Sequence, residues 1–165
     1  FLRALARLVA TYPEMPLHAF IVGAREGDFL DRLRQFVATN ELSAVVDFVP
    51  ETSDVLPYVV ASDSIVIASR NESSPLVALE AFALERPLIS TTIFGLEELV
   101  GSGRALTFSS EDVTGLVEKI RELYTTPSLR VTLVEQGLTF VTKERDVAST
   151  AQRYLSLLKV ANGAA

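Results

Sequence analysis

At 165 residues the chain has the length of one domain, and 48% hydrophobic residues with only 8 glycines and 7 prolines are enough to bury a real core. A formal net charge of -6 and a pI near 4.8 exclude nucleic acid and anionic membrane as bulk partners, because either needs a basic surface. Without cysteine there is no disulfide framework or thiolate metal site, and a single histidine cannot build a histidine cluster.

No run of about 18 apolar residues is present, so no membrane-spanning helix is expected. With the missing cysteines this favours a cytoplasmic location. The chain starts on Phe1 inside an amphipathic helix, as the cut end of something longer would, and Ala161–Ala165 reads as a frayed tail.

Phe1, Leu2, Leu5, Leu8 and Val9 recur at helical spacing up to Tyr12-Pro13. Leu17–Val22, a short apolar run closed by Gly23, predicts a strand buried on both faces, with His18 inside it as a structural or solvated residue. A loop carrying Arg25 leads to a helix over Asp28–Thr39, and Val45–Val49 is the next strand. Ser53 is placed to cap a short helix through Ala61, and Ser64–Ala68 is a third strand.

Ser73-Ser74-Pro75 signals a new helix start near Pro75, followed by a strand at Pro87–Thr91 and one helical turn at Leu96–Val100. Ala105–Phe108 is the last strand. Ser109 and Asp112 have the spacing of a variant capping box before the stripe Val113, Leu116, Val117, Ile120, Leu123 and Tyr124. Thr126-Pro127 opens another helix, and Val147, Ala151, Tyr154, Leu155 and Leu158 stripe a final one. Alternation of this kind predicts a single α/β domain over residues 1–165, a doubly wound parallel sheet covered on both faces. Ligands of such sheets sit at the carboxyl ends of the strands, so Gly23, Arg25, Val49, Glu72 and the Thr91–Gly95 loop should share one rim.

Chemistry concentrates between Asn71 and Glu85. From Leu76 to Leu84 the helix is apolar except at Glu80, which predicts burial all round and makes that carboxylate costly unless it is paired or faces a polar ligand. Glu72 lies just before the same helix start. Free amides at a helix N-terminus suit a phosphate, and two acids beside it suit hydroxyl groups, so a ligand carrying both is indicated. The plainer alternative pairs Glu80 with an internal arginine and leaves Glu72 a solvated loop acid. Likewise Arg70 serves either a phosphate or a structural salt bridge, and Ser73 and Ser74 are either helix caps or ligand contacts.

The run I-V-I-A-S-R-N-E-S-S-P-L-V-A-L-E-A-F-A-L-E-R-P-L-I-S resembles the donor-binding segment of retaining nucleotide-sugar glycosyltransferases, the group that includes sucrose and trehalose synthases and bacterial mannosyltransferases. Their two glutamates, separated by seven residues, are met by Glu72 and Glu80. Phe20–Gly23 matches the family's strand and glycine turn, and Gly95–Val100 resembles its G-x-P-E-x-V segment. The resemblance covers essentially the whole chain. It implies the carboxy-terminal, Rossmann-like half of a GT-B enzyme, metal-independent and without a resident cofactor, acting on a UDP- or GDP-sugar by same-face displacement.

In that group Glu80 would bind ribose hydroxyls and Glu72, the catalytic candidate, would contact the transferred sugar. Amides near Leu76 and Val77 would meet the pyrophosphate. From their place on the same rim, Ser73, Ser74, Arg70, Arg25 and Gly95 are further donor-contact candidates. The loops after Gly23 and around Val49 would reach the phosphates and base. The acceptor belongs to an amino-terminal domain absent here, through which the enzyme could attach peripherally to a membrane.

Three departures stand out. Ser73-Ser74-Pro75 replaces the G-F-G of many relatives, and Glu97 replaces a usual proline. The third is larger: a first strand and an arginine-and-lysine loop that precede the opening helix in relatives are absent. An unfilled slot between the Leu17–Val22 and Ser64–Ala68 strands is therefore expected, with Arg25 and Arg70 as partial substitutes for the missing cations. A non-catalytic nucleotide-binding or regulatory domain is the alternative reading of the same residues. A phospho-acceptor receiver domain would need aspartates clustered at strand ends, and none stand out.

Overall fold

The computed structural model describes residues 1–161; the last four residues of the Ala161–Ala165 tail lie outside the described residues. Thirteen elements follow one another along the described chain, helix and strand alternating as far as α6: α1 (Leu2–Thr11), β1 (Ala19–Ala24), α2 (Asp28–Thr39), β2 (Val46–Pro50), α3 (Leu56–Ala61), β3 (Ile65–Ile67), α4 (Leu76–Ala83), β4 (Leu88–Thr91), α5 (Glu97–Val100), β5 (Ala105–Phe108), α6 (Val113–Thr125), α7 (Pro127–Glu144) and α8 (Val147–Ala161). Among the described residues no helix is long and apolar enough to cross a membrane.

The strands are parallel but form two sheets rather than one. β1 pairs with β2, with Ile21 opposite Phe48, and β3-β4-β5 form the other sheet, with Val66 opposite Ile89 and Ile89 opposite Leu106. The Ala19 amide donates to Val45 and the Ile65 amide to Pro87, so these residues turn their backbone polar groups towards β2 and β4. Because successive residues of a strand alternate in that direction, Phe20 and Val22 on β1, and Ser64 just before β3 with Val66 on it, present theirs on the opposite edges. Both edges line one cavity of about 1270 Å³, which is the expected slot.

Packing around the slot follows the sequence pattern. Leu2, Leu5 and Leu8 of α1 are buried with Leu116, Val117 and Leu123 of α6, and Val37 of α2 and Val46 of β2 complete that core. A second cluster joins Ala78 and Phe82 of α4 to Leu88, Leu96, Leu99 and Phe140. Here α4 and α7 approach closely because residue 137 is glycine: a Cβ there would stand 2.5 Å from the Phe82 ring.

Several boundaries differ from the sequence reading for local reasons. β1 begins two residues later than expected, leaving His18 outside it, where its Nε2 pairs with the Asp47 carboxylate at 3.0 Å. Ser53 caps nothing; α3 starts at Leu56 with proline in its first turn. Asp112, not Ser109, is the N-cap of α6, accepting from the Gly115 amide at 2.9 Å. The stripe on α8 stays exposed, with Tyr154, Leu155 and Leu158 all more than half accessible.

Candidate functional site

α4 starts at Leu76, one residue later than expected, with Pro75 at the cap position in an extended conformation. Neither Ser73 nor Ser74 caps it. The missing serine cap matters, because the Leu76 and Val77 amides have no carbonyl within the helix to bind and no other acceptor among the described residues. They remain free for an anion.

Nor is α4 buried all round. Ala78, Ala81 and Phe82 are buried, while Leu76 is 69% exposed and Val77, Leu79 and Glu80 are half-buried. The reason is the slot: Val77 and Glu80 form part of its wall, together with Gly23, Glu51 and Thr52 from the ends of β1 and β2. Glu80 has no salt bridge or side-chain hydrogen bond among the described residues. The internal arginine of the plainer reading is therefore not found, and an open cavity rather than a counter-ion explains how the carboxylate is tolerated.

Glu72 is held differently. Its Oε1 accepts a 2.7 Å hydrogen bond from the Ser69 hydroxyl, and the Ser69 carbonyl in turn accepts from the Thr91 hydroxyl at 2.9 Å. Thr91 is fully buried in β4, so the acid-bearing turn is pinned to the sheet. Gly95 closes the turn from the other side, with φ of +87° and its α-carbon so near that a Cβ would stand 2.2 Å from the Glu72 carbonyl oxygen. Sequence reasoning did not single out Ser69 as the partner of Glu72; its place three residues before the acid was the available signal.

The two arginines do not enter as free cations. Arg25 forms an exposed 2.7 Å ion pair with Glu51, which holds its guanidinium above the usual arginine range by hydrogen bond and charge. Arg70 pairs with Glu111 at 2.6 Å. Val49 lies within β2, opposite Val22, and is not among the residues that line the slot; Glu51 and Thr52 take that place. The structure thus gathers Glu80, Val77 and Gly23 at one cavity and ties Glu72, Ser73 and Gly95 together beside it. Among the described residues no group of histidine, aspartate and glutamate side chains could hold a metal ion.

The sequence profile of the family "Glycosyl transferases group 1" matches residues 1–126, through the whole of this site. The chain belongs to this family. Curated relatives include D-inositol 3-phosphate glycosyltransferase of Corynebacterium urealyticum, 31% identical over 81% of the chain and 33% of the relative, and glycogen synthase of Mycobacterium tuberculosis, 30% identical over 93% of the chain and 38% of the relative. The chain spans only about a third of the length of these glycosyltransferases.

Solved structures of group 1 and related glycosyltransferases share the fold. A Rickettsia africae glycosyltransferase superposes with a TM-score of 0.84 at 20% identity, covering 95% of this chain and 42% of that one. Anabaena HepE in complex with UDP gives 0.83 at 21% identity, covering 95% and 43%. The C-terminal domain of a Francisella tularensis group 1 protein gives 0.77 at 24% identity, and there 78% of the other chain is covered. The α/β architecture is accordingly that of the Rossmann-like carboxy-terminal half of a GT-B glycosyltransferase.

Proposed function

We propose that this chain is the donor-binding half of a retaining glycosyltransferase that moves a sugar from a UDP- or GDP-sugar to an acceptor held by an amino-terminal domain. The observation that carries the reading is the pair of glutamates set around two unbonded helix amides: Glu80 unpaired at a cavity, Glu72 pinned beside the helix start. Amides of Leu76 and Val77 suit the diphosphate, since the helix end supplies partial positive charge without a cation. Glu80 accepts from ribose hydroxyls. Glu72, fixed by Ser69, contacts the transferred sugar.

The chemistry asked of these groups is positioning and charge stabilisation rather than covalent catalysis. Departure of the nucleoside diphosphate builds negative charge on its phosphate oxygens, where the α4 amides point. The leaving phosphate receives the proton of the attacking hydroxyl on the same face of the sugar. This reading assigns no resident cofactor or metal to the site. It is supported by family membership and by solved relatives of this fold bound to UDP and to UDP-glucose.

Calorimetric titration with UDP and GDP tests it, on the chain alone and on a longer polypeptide in which an apolar strand precedes Phe1. Binding of either nucleotide that weakens at least tenfold, or about 1.4 kcal/mol, in Glu80→Ala is expected. Absence of binding in both polypeptides, or affinity indifferent to Glu80, would overturn the reading.

A further inference from the structure

Phe140, near the end of α7, is 3% exposed and belongs to the buried cluster that includes residues of α4 and α5. On one side its ring meets Phe82 of α4 edge-on, with centroids 6.3 Å apart, two residues from Glu80. On the other, two guanidinium groups approach it: Arg104 lies 4.2 Å from the ring centroid and Arg145 5.3 Å, both within the range of a cation–π contact. Each of these arginines also grips α5. Arg104 donates Nε to the Leu99 carbonyl at 2.9 Å and an Nη to the Glu98 carbonyl, and Arg145 forms an ion pair with the Glu98 carboxylate.

α5 is four residues long, too short to hold its own position. It is fastened from outside, and it ends the loop whose Gly95 packs on the Glu72 and Ser73 carbonyls. We propose that Phe140, Arg104 and Arg145 form a clamp that positions the Thr92–Leu96 loop against α4, so that Glu72 and Glu80 present themselves to the donor in fixed register. The three are positioning residues, acting through Gly95 on one side and Phe82 on the other. Their role in ligand binding rests on the nucleotide-site reading above; their role in fastening the loop does not.

The experiment compares wild type with Arg145→Met, Glu98→Gln and Arg145→Lys. Methionine keeps apolar contact with Phe140 but loses the ion pair, whereas lysine keeps the charge. Amide exchange at Leu96 and Val100, whose N–H groups donate to Ile93 and Leu96, reports the loop and α5 directly. Exchange there should rise about tenfold in R145M and E98Q with Ile89 and Leu106 unchanged, and should return near wild type in R145K. UDP or GDP affinity should fall roughly tenfold in the first two variants and recover in R145K.

Unaltered exchange in R145M and E98Q would overturn the clamp. Raised exchange with unaltered affinity would reduce it to a structural brace and overturn the positioning role. Absence of nucleotide binding by both the wild-type chain and the longer polypeptide with an apolar strand before Phe1 would overturn the site reading and the positioning role with it, while the exchange data still decide whether the clamp fastens the loop.

Discussion

Gly95 and Glu72 are separated by less than one side chain: a methyl group on residue 95 would stand 2.2 Å from the Glu72 carbonyl oxygen and 2.7 Å from that of Ser73. The backbone of Gly95 also has φ of +87°, a region that strains any residue with a Cβ. Gly95→Ala must therefore either displace the Glu72 turn or swing the loop away. Chemical denaturation should show a loss of about 2 kcal/mol or more, and nucleotide titration a larger loss of affinity than from any substitution at exposed Thr92.

Glu80 should behave in the opposite sense. Its side chain faces the slot without a partner, so its removal breaks no ion pair. Glu80→Gln is expected to change unfolding free energy by less than about 1 kcal/mol, and not to approach the 3–5 kcal/mol typical of an orphaned buried partner. A loss in that upper range in urea denaturation would show that an internal counter-ion holds Glu80 after all.

The two free strand edges make a prediction about exchange. Phe20, Val22 and Val66 turn their amides into the slot, whereas Ala19, Ile21 and Ile65 donate across the ladders to β2 and β4. In the chain alone the first set should exchange far faster than the second. Placing an apolar strand before Phe1 should slow the first set without altering the second, since it would supply the missing carbonyl partners. Equal protection of both sets in the chain alone would contradict the open slot.

Local pattern made most of this fold legible. Asp28–Thr39 and Ala105–Phe108 form with the expected bounds because both have strong periodicity and clear stops. The slot was legible too, through the resemblance, as a family strand without a counterpart among residues 1–165. What the sequence hid were relations set by tertiary contact: which acids Arg25 and Arg70 meet, Glu51 and Glu111, that the Ser69 hydroxyl attends Glu72, and that Phe140 of α7 packs on Phe82 of α4 and on the arginines that hold α5. Expected burial failed where a partner surface is missing. Glu80 and Leu76 lie beside the open slot and rim, and the α8 stripe has no cover among the described residues.

Acid should loosen the start of α8 first. Hydrogen bonding by the Ser149 side chain, together with the Ser149 and Ala148 amides that Asp146 accepts from at 3.1 and 2.9 Å, holds its carboxyl below the usual aspartate range. A lowered folded-state pKa means the cap's contribution is present above the unfolded aspartate value, near 4, and is lost as the pH falls through the lower folded one. Amide exchange at Ser149 and Thr150, corrected for intrinsic pH dependence, should rise below that range, and Asp146→Ala should show the raised exchange already at neutral pH.

Arg70 and Glu111 give a prediction of unusual sign. Their 2.6 Å pair is exposed on both sides, so its contribution to stability is small, and Arg70→Ala should cost no more than about 0.5 kcal/mol. Arg70 nonetheless sits two residues before Glu72, in the loop from β3 that leads to the free α4 amides, and it is the positive charge nearest to them in sequence. If it turns to the donor diphosphate, it must leave Glu111 to do so. Glu111→Gln removes that competitor and one repelling charge, so it should raise UDP or GDP affinity several-fold, most clearly at low salt, where exposed charges are least screened. Calorimetry at two ionic strengths reads both effects. An unchanged or weakened affinity in E111Q would leave Arg70 as a structural ion-pair partner and place the whole anion-binding task on the helix end.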